Sequence, residues 1–143
     1  MSRELSVADM QAKIGRSRFH QLFQPEVLDV DDAKLKLTVK FAMRDELERQ
    51  PGTNQWHGGA ISAIIDTAGC YALALQAMEP LPTINFRTDY LRPAIGTDLT
   101  AIALVRKAGR SVGVVDVDIK DDAGRLIALG RACYSMQAPP GTG

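Results

Sequence analysis

Apolar and polar residues alternate without a break over residues 34–41, with Leu35, Leu37, Val39 and Phe41 on one side and Lys34, Lys36, Thr38 and Lys40 on the other. A period of two predicts a strand with one solvated face. Four more strand-like segments follow residue 82. Residues 83–91 set Ile84, Phe86 and Tyr90 against Asn85, Arg87 and Asp89, and residues 99–105 end at a turn formed by Lys107, Ala108, Gly109 and Arg110. Residues 112–119 set Val115, Val117 and Ile119 against Asp116 and Asp118, and a turn at Asp121, Asp122, Ala123 and Gly124 leads into residues 126–136.

Between the first strand and the rest lies residues 60–78, almost wholly apolar, after a polar loop over 44–55 that holds Pro51 and Gly52. The segment is nearly long enough to cross a bilayer, but Asp66 sits inside it, and a mid-bilayer carboxylate costs several kcal/mol. It reads as a buried core helix, closed by Pro80 and Pro82. Near the start, Ser6 can cap a short surface helix over about 6–15 in which Val7, Met10 and Ile14 share a stripe. A link with Phe19, Leu22 and Phe23 follows.

The order of elements excludes alternating βαβ units, so the expected class is α+β with an antiparallel sheet. A helix apolar on nearly every face must be covered all round, so the sheet has to curl about it. A second copy of the chain is the simplest cover for the remainder.

Composition bounds the picture. The 143 residues suit one domain, with a helix over about 6–15, a core over about 28–136 and a flexible tail over 137–143. Lys plus Arg and Asp plus Glu both number 17, so no broad basic field exists for nucleic acid or an anionic membrane, and any anion site must be local. Cys70 and Cys133 lie far apart in apolar stretches, which fits buried thiols in a reducing cytoplasm. The N-terminal stretch has no secretory pattern. His20 has no metal-ligand partner at local spacing and reads as a surface residue, so no metal site is expected. Neither a GxSxG elbow nor a P-loop is present.

The informative run is Trp56, His57, Gly58 and Gly59 at the start of the apolar helix. Glycines there let a ligand approach first-turn N–H groups that lack intrahelical partners, and the helix dipole favours an oxygen gaining negative charge. Equally, the glycines serve tight packing at a helix entry. Asp66 needs a partner or a task, since an isolated buried carboxylate is costly. Thr67 or a neighbouring strand offers the structural alternative. Nine residues at about 100° and 1.5 Å each put Asp66 on the opposite face from His57 and roughly 13 Å along, too far for one substrate within one chain. Across a two-fold axis the histidine end of one helix can face the aspartate of its neighbour.

These residues, with Tyr90-Leu91-Arg92-Pro93-Ala94 and the Gly109-Arg110 turn, resemble hotdog-fold acyl-CoA thioesterases of the phenylacetate-degradation type over about residues 35–136. The resemblance implies five or six antiparallel strands around a long central helix, homodimers joined through their sheets and often paired into homotetramers, and acyl-CoA as substrate without a further cofactor. It implies Asp66 as general base or nucleophile, the Gly58 N–H as oxyanion donor with His57 assisting, and Thr83 as the hydroxyl that positions water. Gly59 belongs to the same motif. Trp56 is a candidate wall of the acyl pocket or an anchor beside the helix. Arg92, Lys107 and Arg110, with Arg87, are candidates for the coenzyme A phosphates. Many relatives carry asparagine six residues before the histidine and glycine three before it. Here Pro51 and Asn54 stand in those places, which makes Asn54 or Gln50 the candidate for the missing amide. Two other activities use this fold class: a non-catalytic acyl-binding module and a hydroxyacyl thioester dehydratase.

Overall fold

The computed structural model describes residues 4–137, so the tail expected beyond them lies outside the described residues. Its elements run α1 (Val7–Ile14), α2 (Arg18–Phe23), β1 (Glu26–Asp31), β2 (Lys36–Phe41), a 3-10 turn (Asp45–Leu47), α3 (Gly58–Ala77), β3 (Thr83–Tyr90), β4 (Leu99–Ala108), β5 (Val112–Asp121) and β6 (Leu126–Ser135). The six strands make one antiparallel sheet in the order β1-β2-β4-β5-β6-β3. This is the expected α+β arrangement, a sheet wrapped about one long helix.

Register explains the wrapping. Val39, Ala101, Ile119 and Ala128 pair in a row across β2, β4, β5 and β6, and all are fully buried. The next row is Leu37, Ala103, Val117 and Gly130. A Cβ on Gly130 would stand 2.5 Å from the Arg87 carbonyl and 2.9 Å from Ile65, so α3 meets the sheet at contact distance there. Large and small residues alternate from strand to strand in both rows, and this interdigitation lets α3 seat closely against the curved sheet. Ile64, Ile65, Ala68, Ala72, Leu73 and Ala74 of α3 are fully buried in this trough, which accounts for an apolar helix of spanning length in this fold.

The N-terminal helices complete part of the cover. Ser6 caps α1 in a reciprocal box with Asp9, at 3.1 Å and 3.0 Å. Met10 and Ile14 are fully buried while Val7 is exposed, and the Gln11 amide bonds both Pro25 and Val27 at the start of β1. Lys13 Nζ donates to the Met78 carbonyl at 2.8 Å, satisfying an orphan acceptor at the C-terminus of α3. The link around Phe19 is a helix, α2, and it corrects the expected surface position of His20. That imidazole is buried, with Nδ1 2.7 Å from the Ile14 carbonyl and its ring 5.4 Å from the ring of Tyr71 on α3. One face of α3 is therefore covered by its own chain.

Two further differences have local causes. β1 carries no buried alternation, because as an edge strand with a register shift after Val27 it buries only that residue. Leu35 belongs to the preceding turn at φ 51° rather than to β2.

At the opposite edge, β3 sends Phe86, Thr88 and Tyr90 towards the α3 side, paired with Ala132, Gly130 and Ala128. Ile84, Phe86 and Tyr90 remain 55%, 41% and 52% exposed, an apolar edge with no further strand beside it among the described residues.

The β5–β6 turn rests on Asp121, whose carboxylate accepts from the N–H groups of Ala123 (3.0 Å) and Arg125 (2.8 Å) and from Arg125 Nε (2.8 Å). Burial opposes ionisation of Asp121, but these donors outweigh it and hold the carboxyl below its ordinary range. A depressed folded pKa stabilises the fold above the unfolded value and loses that contribution as pH falls through the folded one. Asp121→Asn is therefore expected to melt a few degrees below wild type at pH 7, with the gap closing as pH drops below about 4. Thermal melts across pH check this, and a gap independent of pH would contradict it.

Candidate active site

The site is built on the part of α3 that the sheet leaves open. Gly58, Ser62, Asp66 and Cys70 recur every fourth residue and form a slowly winding stripe along that side. His57 is the N-cap: its Nδ1 accepts from the Gly59 N–H at 2.8 Å, and its own N–H donates to Leu47 at 2.9 Å. Its carbonyl accepts from Ala60 and Ile61. Among the described residues this leaves the Gly58 N–H as the first-turn donor without a partner. A Cβ on Gly59 would stand 3.0 Å from His57 Nδ1 and 3.1 Å from Cε1, so the second glycine makes room for the capping imidazole.

Asp66 is half-buried, and Thr83 Oγ1, at the start of β3, donates to its Oδ1 at 2.7 Å. The partner is thus a neighbouring strand rather than Thr67. Tyr134, fully buried, donates to the Asp66 main-chain carbonyl at 2.6 Å, in space left by the missing side chain of Gly69. Burial, and then the charge of Asp66, push the Tyr134 phenol well above its ordinary range, so it remains a donor. One turn beyond Asp66, the Cys70 thiol lies 3.3 Å from both the N–H and the carbonyl of Leu81. Burial pushes it up to about 11, which leaves it protonated at neutral pH and unsuited to act as a nucleophile.

Two clefts open along the stripe. The first, about 600 Å³, is lined by His57, Gly58, Tyr90, Arg92, Arg49 and Gln55. The second, about 590 Å³, is lined by Asp66, Thr83, Cys70, Phe86, Phe19 and His20. Gly59 touches both. Eight residues of helix separate Gly58 from Asp66, about 12 Å of rise, so one chain holds its acid and its free amide in different clefts.

Asp66 and Thr83 therefore meet, as do His57, Gly58 and Gly59, but the two groups do not meet within one chain. Trp56 is buried beside the first cleft and donates from Nε1 to Thr97 at 2.8 Å. Asn54 turns away at φ 52°, with its N–H on Glu48 and its carbonyl on Gly96. Gln55 lines the first cleft, whereas Asn54 and Gln50 do not, and Arg49 joins Arg92 there. Arg92 follows the Tyr90 end of β3, whereas Lys107 and Arg110 lie near the Thr83 end, since Val114, paired with Lys107, adjoins the Gly113–Tyr134–Thr83 row. Seven strand residues separate those ends, roughly 23 Å. Arg87 points to the outer face and pairs with Asp89 at 3.2 Å. Ser62 and Tyr90 join the site without having been given a role from sequence. Four-residue spacing of polar positions in an apolar helix was the signal for Ser62.

A long helix cradled by one curved antiparallel sheet, with an acid midway along it and glycines at its open start, defines a hotdog domain of the thioester-hydrolase class. The chain belongs to the thioesterase superfamily, whose family model matches residues 54–128, more than half of its length. A Halobacterium salinarum protein with a provisional esterase name is 34% identical over 123 residues, covering 77% of this chain and 78% of that protein. The acyl-coenzyme A thioesterase PaaI of Escherichia coli is 36% identical over 81 residues, covering 56% of this chain and 57% of PaaI. A solved thioesterase-superfamily structure superposes with a TM-score of 0.85 at 30% identity, covering 92% of this chain and 98% of that one.

The capping geometry generates a test. Gly59→Ala adds a methyl group that displaces the imidazole, while the better helix propensity of alanine offsets the lost cap, each effect being about 1 kcal/mol. The expected result is a melting temperature within about 3 °C of wild type with thioester hydrolysis reduced at least about tenfold. Unchanged hydrolysis would show that the position of the His57 ring is immaterial.

Proposed function

We propose that the protein is a cytoplasmic acyl-CoA thioesterase that hydrolyses its substrate to a free acid and coenzyme A. The observation that carries this reading is the Thr83–Asp66 hydrogen bond at 2.7 Å inside a mainly apolar cleft, with a Gly58 N–H that has no partner among the described residues at the start of the same helix. Thr83 donates to Asp66, so the carboxylate is oriented and the hydroxyl oxygen is left to accept from a water. Asp66 then takes a proton from that water as the water oxygen bonds to the carbonyl carbon, or it adds directly to that carbon to give an anhydride that water then hydrolyses. In either route the C–S bond breaks and coenzyme A leaves as the thiolate, which takes up the proton. The carbonyl oxygen gains charge facing the Gly58 N–H and the positive end of the helix. His57 assists from the same side. A thioester carbonyl is weakly stabilised by resonance and thiolate leaves readily, so the reading calls for no metal or further cofactor.

Acid and oxyanion donor lie about 12 Å apart in one chain, which the reading resolves with a homodimer. Two β3 edges laid antiparallel put the Thr83 end of one protomer beside the Tyr90 end of its partner, and cover the exposed Ile84, Phe86 and Tyr90. Arg92 and Arg49 then share a rim with the partner's Lys107 and Arg110, a local cationic patch suited to the coenzyme A phosphates. The outer sheet face, where Ile102, Leu104 and Leu129 lie among charged side chains, is the surface left for two dimers to form a homotetramer.

Thiol release from short, medium, long and aryl acyl-CoA substrates tests the activity. Asp66→Asn is expected to lower turnover by about 10² to 10⁴ while the oligomer stays folded. Full activity in that variant removes Asp66 from the reaction, and tight acyl-CoA binding without thiol release would favour a binding module.

The shared site has its own test. Mixing His57→Ala with Asp66→Asn protein under subunit exchange should restore activity, because one of the two sites in each heterodimer is intact. Random pairing gives about a quarter of wild-type turnover. Absence of any recovery in a mixture shown to exchange would place each site within a single chain.

A further inference from the structure

Between the two clefts, with Tyr90 and Gly58 lining the first and Ser62 the second, four hydroxyl and main-chain groups form a connected series. Thr88 Oγ1 lies 3.0 Å from Ser62 Oγ, Ser62 Oγ lies 2.6 Å from the Tyr90 hydroxyl, and Tyr90 donates to the Gly58 carbonyl at 2.5 Å. The other end of the Gly58–Gly59 peptide, the Gly59 N–H, donates to His57 Nδ1 at 2.8 Å.

Elementary hydrogen-bond accounting gives this series one direction. A carbonyl only accepts, so Tyr90 spends its single proton on Gly58. Ser62 must then donate to Tyr90, and Thr88 to Ser62. The Gly59 N–H only donates, so Nδ1 of His57 is the accepting nitrogen, and the neutral ring carries its proton on Nε2. Each bond polarises the next. Drawing electron density from the Gly58 carbonyl makes the Gly59 N–H a stronger donor, which holds the imidazole more firmly in this tautomer. The peptide plane between the two glycines is also pinned at both ends, and that fixes the approach to the Gly58 N–H.

We propose that Thr88, Ser62 and Tyr90 form a one-way hydrogen-bond relay that acts through the Gly58–Gly59 peptide to hold His57 as an Nε2–H donor facing the first cleft. They are positioning residues, since none of them needs to touch the reacting atoms. Tyr90 is the decisive member because it alone reaches the peptide. Its ring also packs against Gly58, where an added Cβ would meet it at 3.4 Å, so loss of the hydroxyl can be separated from loss of the ring. The effect of the relay on turnover rests on the thioesterase reading, but the hydrogen-bond pattern does not.

The experiment compares Tyr90→Phe and Ser62→Ala with wild type in two measurements, thiol-release kinetics and nitrogen–proton NMR of the Gly59 amide and the His57 ring. Tyr90→Phe keeps the ring and should keep the melting temperature. Its kcat is expected to fall about tenfold with KM within about a factor of two, because the donor is misaimed rather than the substrate lost. The Gly59 amide proton should move upfield as its hydrogen bond weakens, and the His57 ring should lose its single-tautomer signature. Ser62→Ala should shift the same signals in the same direction by less. Unchanged Gly59 and His57 resonances in Tyr90→Phe overturn the relay, and so does a fall in kcat without any shift at Gly59. If wild type releases no thiol from any acyl-CoA, the thioesterase reading falls by itself, and the resonances still decide whether the relay exists.

Discussion

The structure depends on how an almost entirely apolar helix is enclosed. Each buried isoleucine or leucine of α3 contributes about 1.5–3 kcal/mol when removed from water, so the sheet gains by bending until it covers as much of the helix as it can. Gly130 lets β6 come close below Ile65, and the fully buried Ala101 and Ala103 keep β4 low beneath the helix. Six strands and two short helices still leave one stripe open, and that stripe is where the helix changes character to Gly58, Ser62, Asp66 and Cys70. A carboxylate in the middle of such a helix is tolerated because it emerges at the gap rather than into the trough. The gap also provides access.

The same gap explains how a chain of zero net charge can recognise a polyanionic ligand under the proposed function. Its charges are distributed by position rather than by number. Arg49 and Arg92 sit at the glycine end of the cleft system and Lys107 and Arg110 at the far end, just as the oxyanion donor and the acid are split between ends. Under the proposed homodimer, one two-fold operation across β3 would repair both separations at once. It would also pair the β3 edge and cover its exposed apolar side chains, so packing and chemistry favour the same proposed assembly.

Much of this was legible from the pattern of residues. Strict alternation marked β2 and β5, and the interrupted apolar run marked α3 together with its one acid. What escaped has physical reasons. β1 buries only Val27 and makes up its structure from edge pairing, so it has no periodicity to detect. His20 looked like a surface residue because its partners, the Ile14 carbonyl and Tyr71, are supplied by a chain reversal and by an element 51 positions away. Asn54 was the natural replacement for a lost amide, but its positive φ turns it towards Gly96, and Gln55 faces the cleft instead. Tyr90 stood inside a recognisable run of residues, yet its role depends on pairing with Ala128, which places its hydroxyl over the start of α3.

The two adjacent glycines divide their labour, and that division follows from the N-cap. Had His57 been an ordinary serine cap, its oxygen would have satisfied a first-turn N–H in the same way, but it would have offered no second polar atom to the cleft. An imidazole has two nitrogens on opposite sides, so it closes the helix with one and presents the other. The cost is steric, and Gly59 meets it by having no Cβ where the ring must lie. The His57 carbonyl accepts from both Ala60 and Ile61, which polarises the peptide it shares with the Gly58 N–H. Among the described residues, the one first-turn donor left without a partner is thereby strengthened by the bonds that satisfy its neighbours, and under the proposed function this helix entry is where negative charge develops.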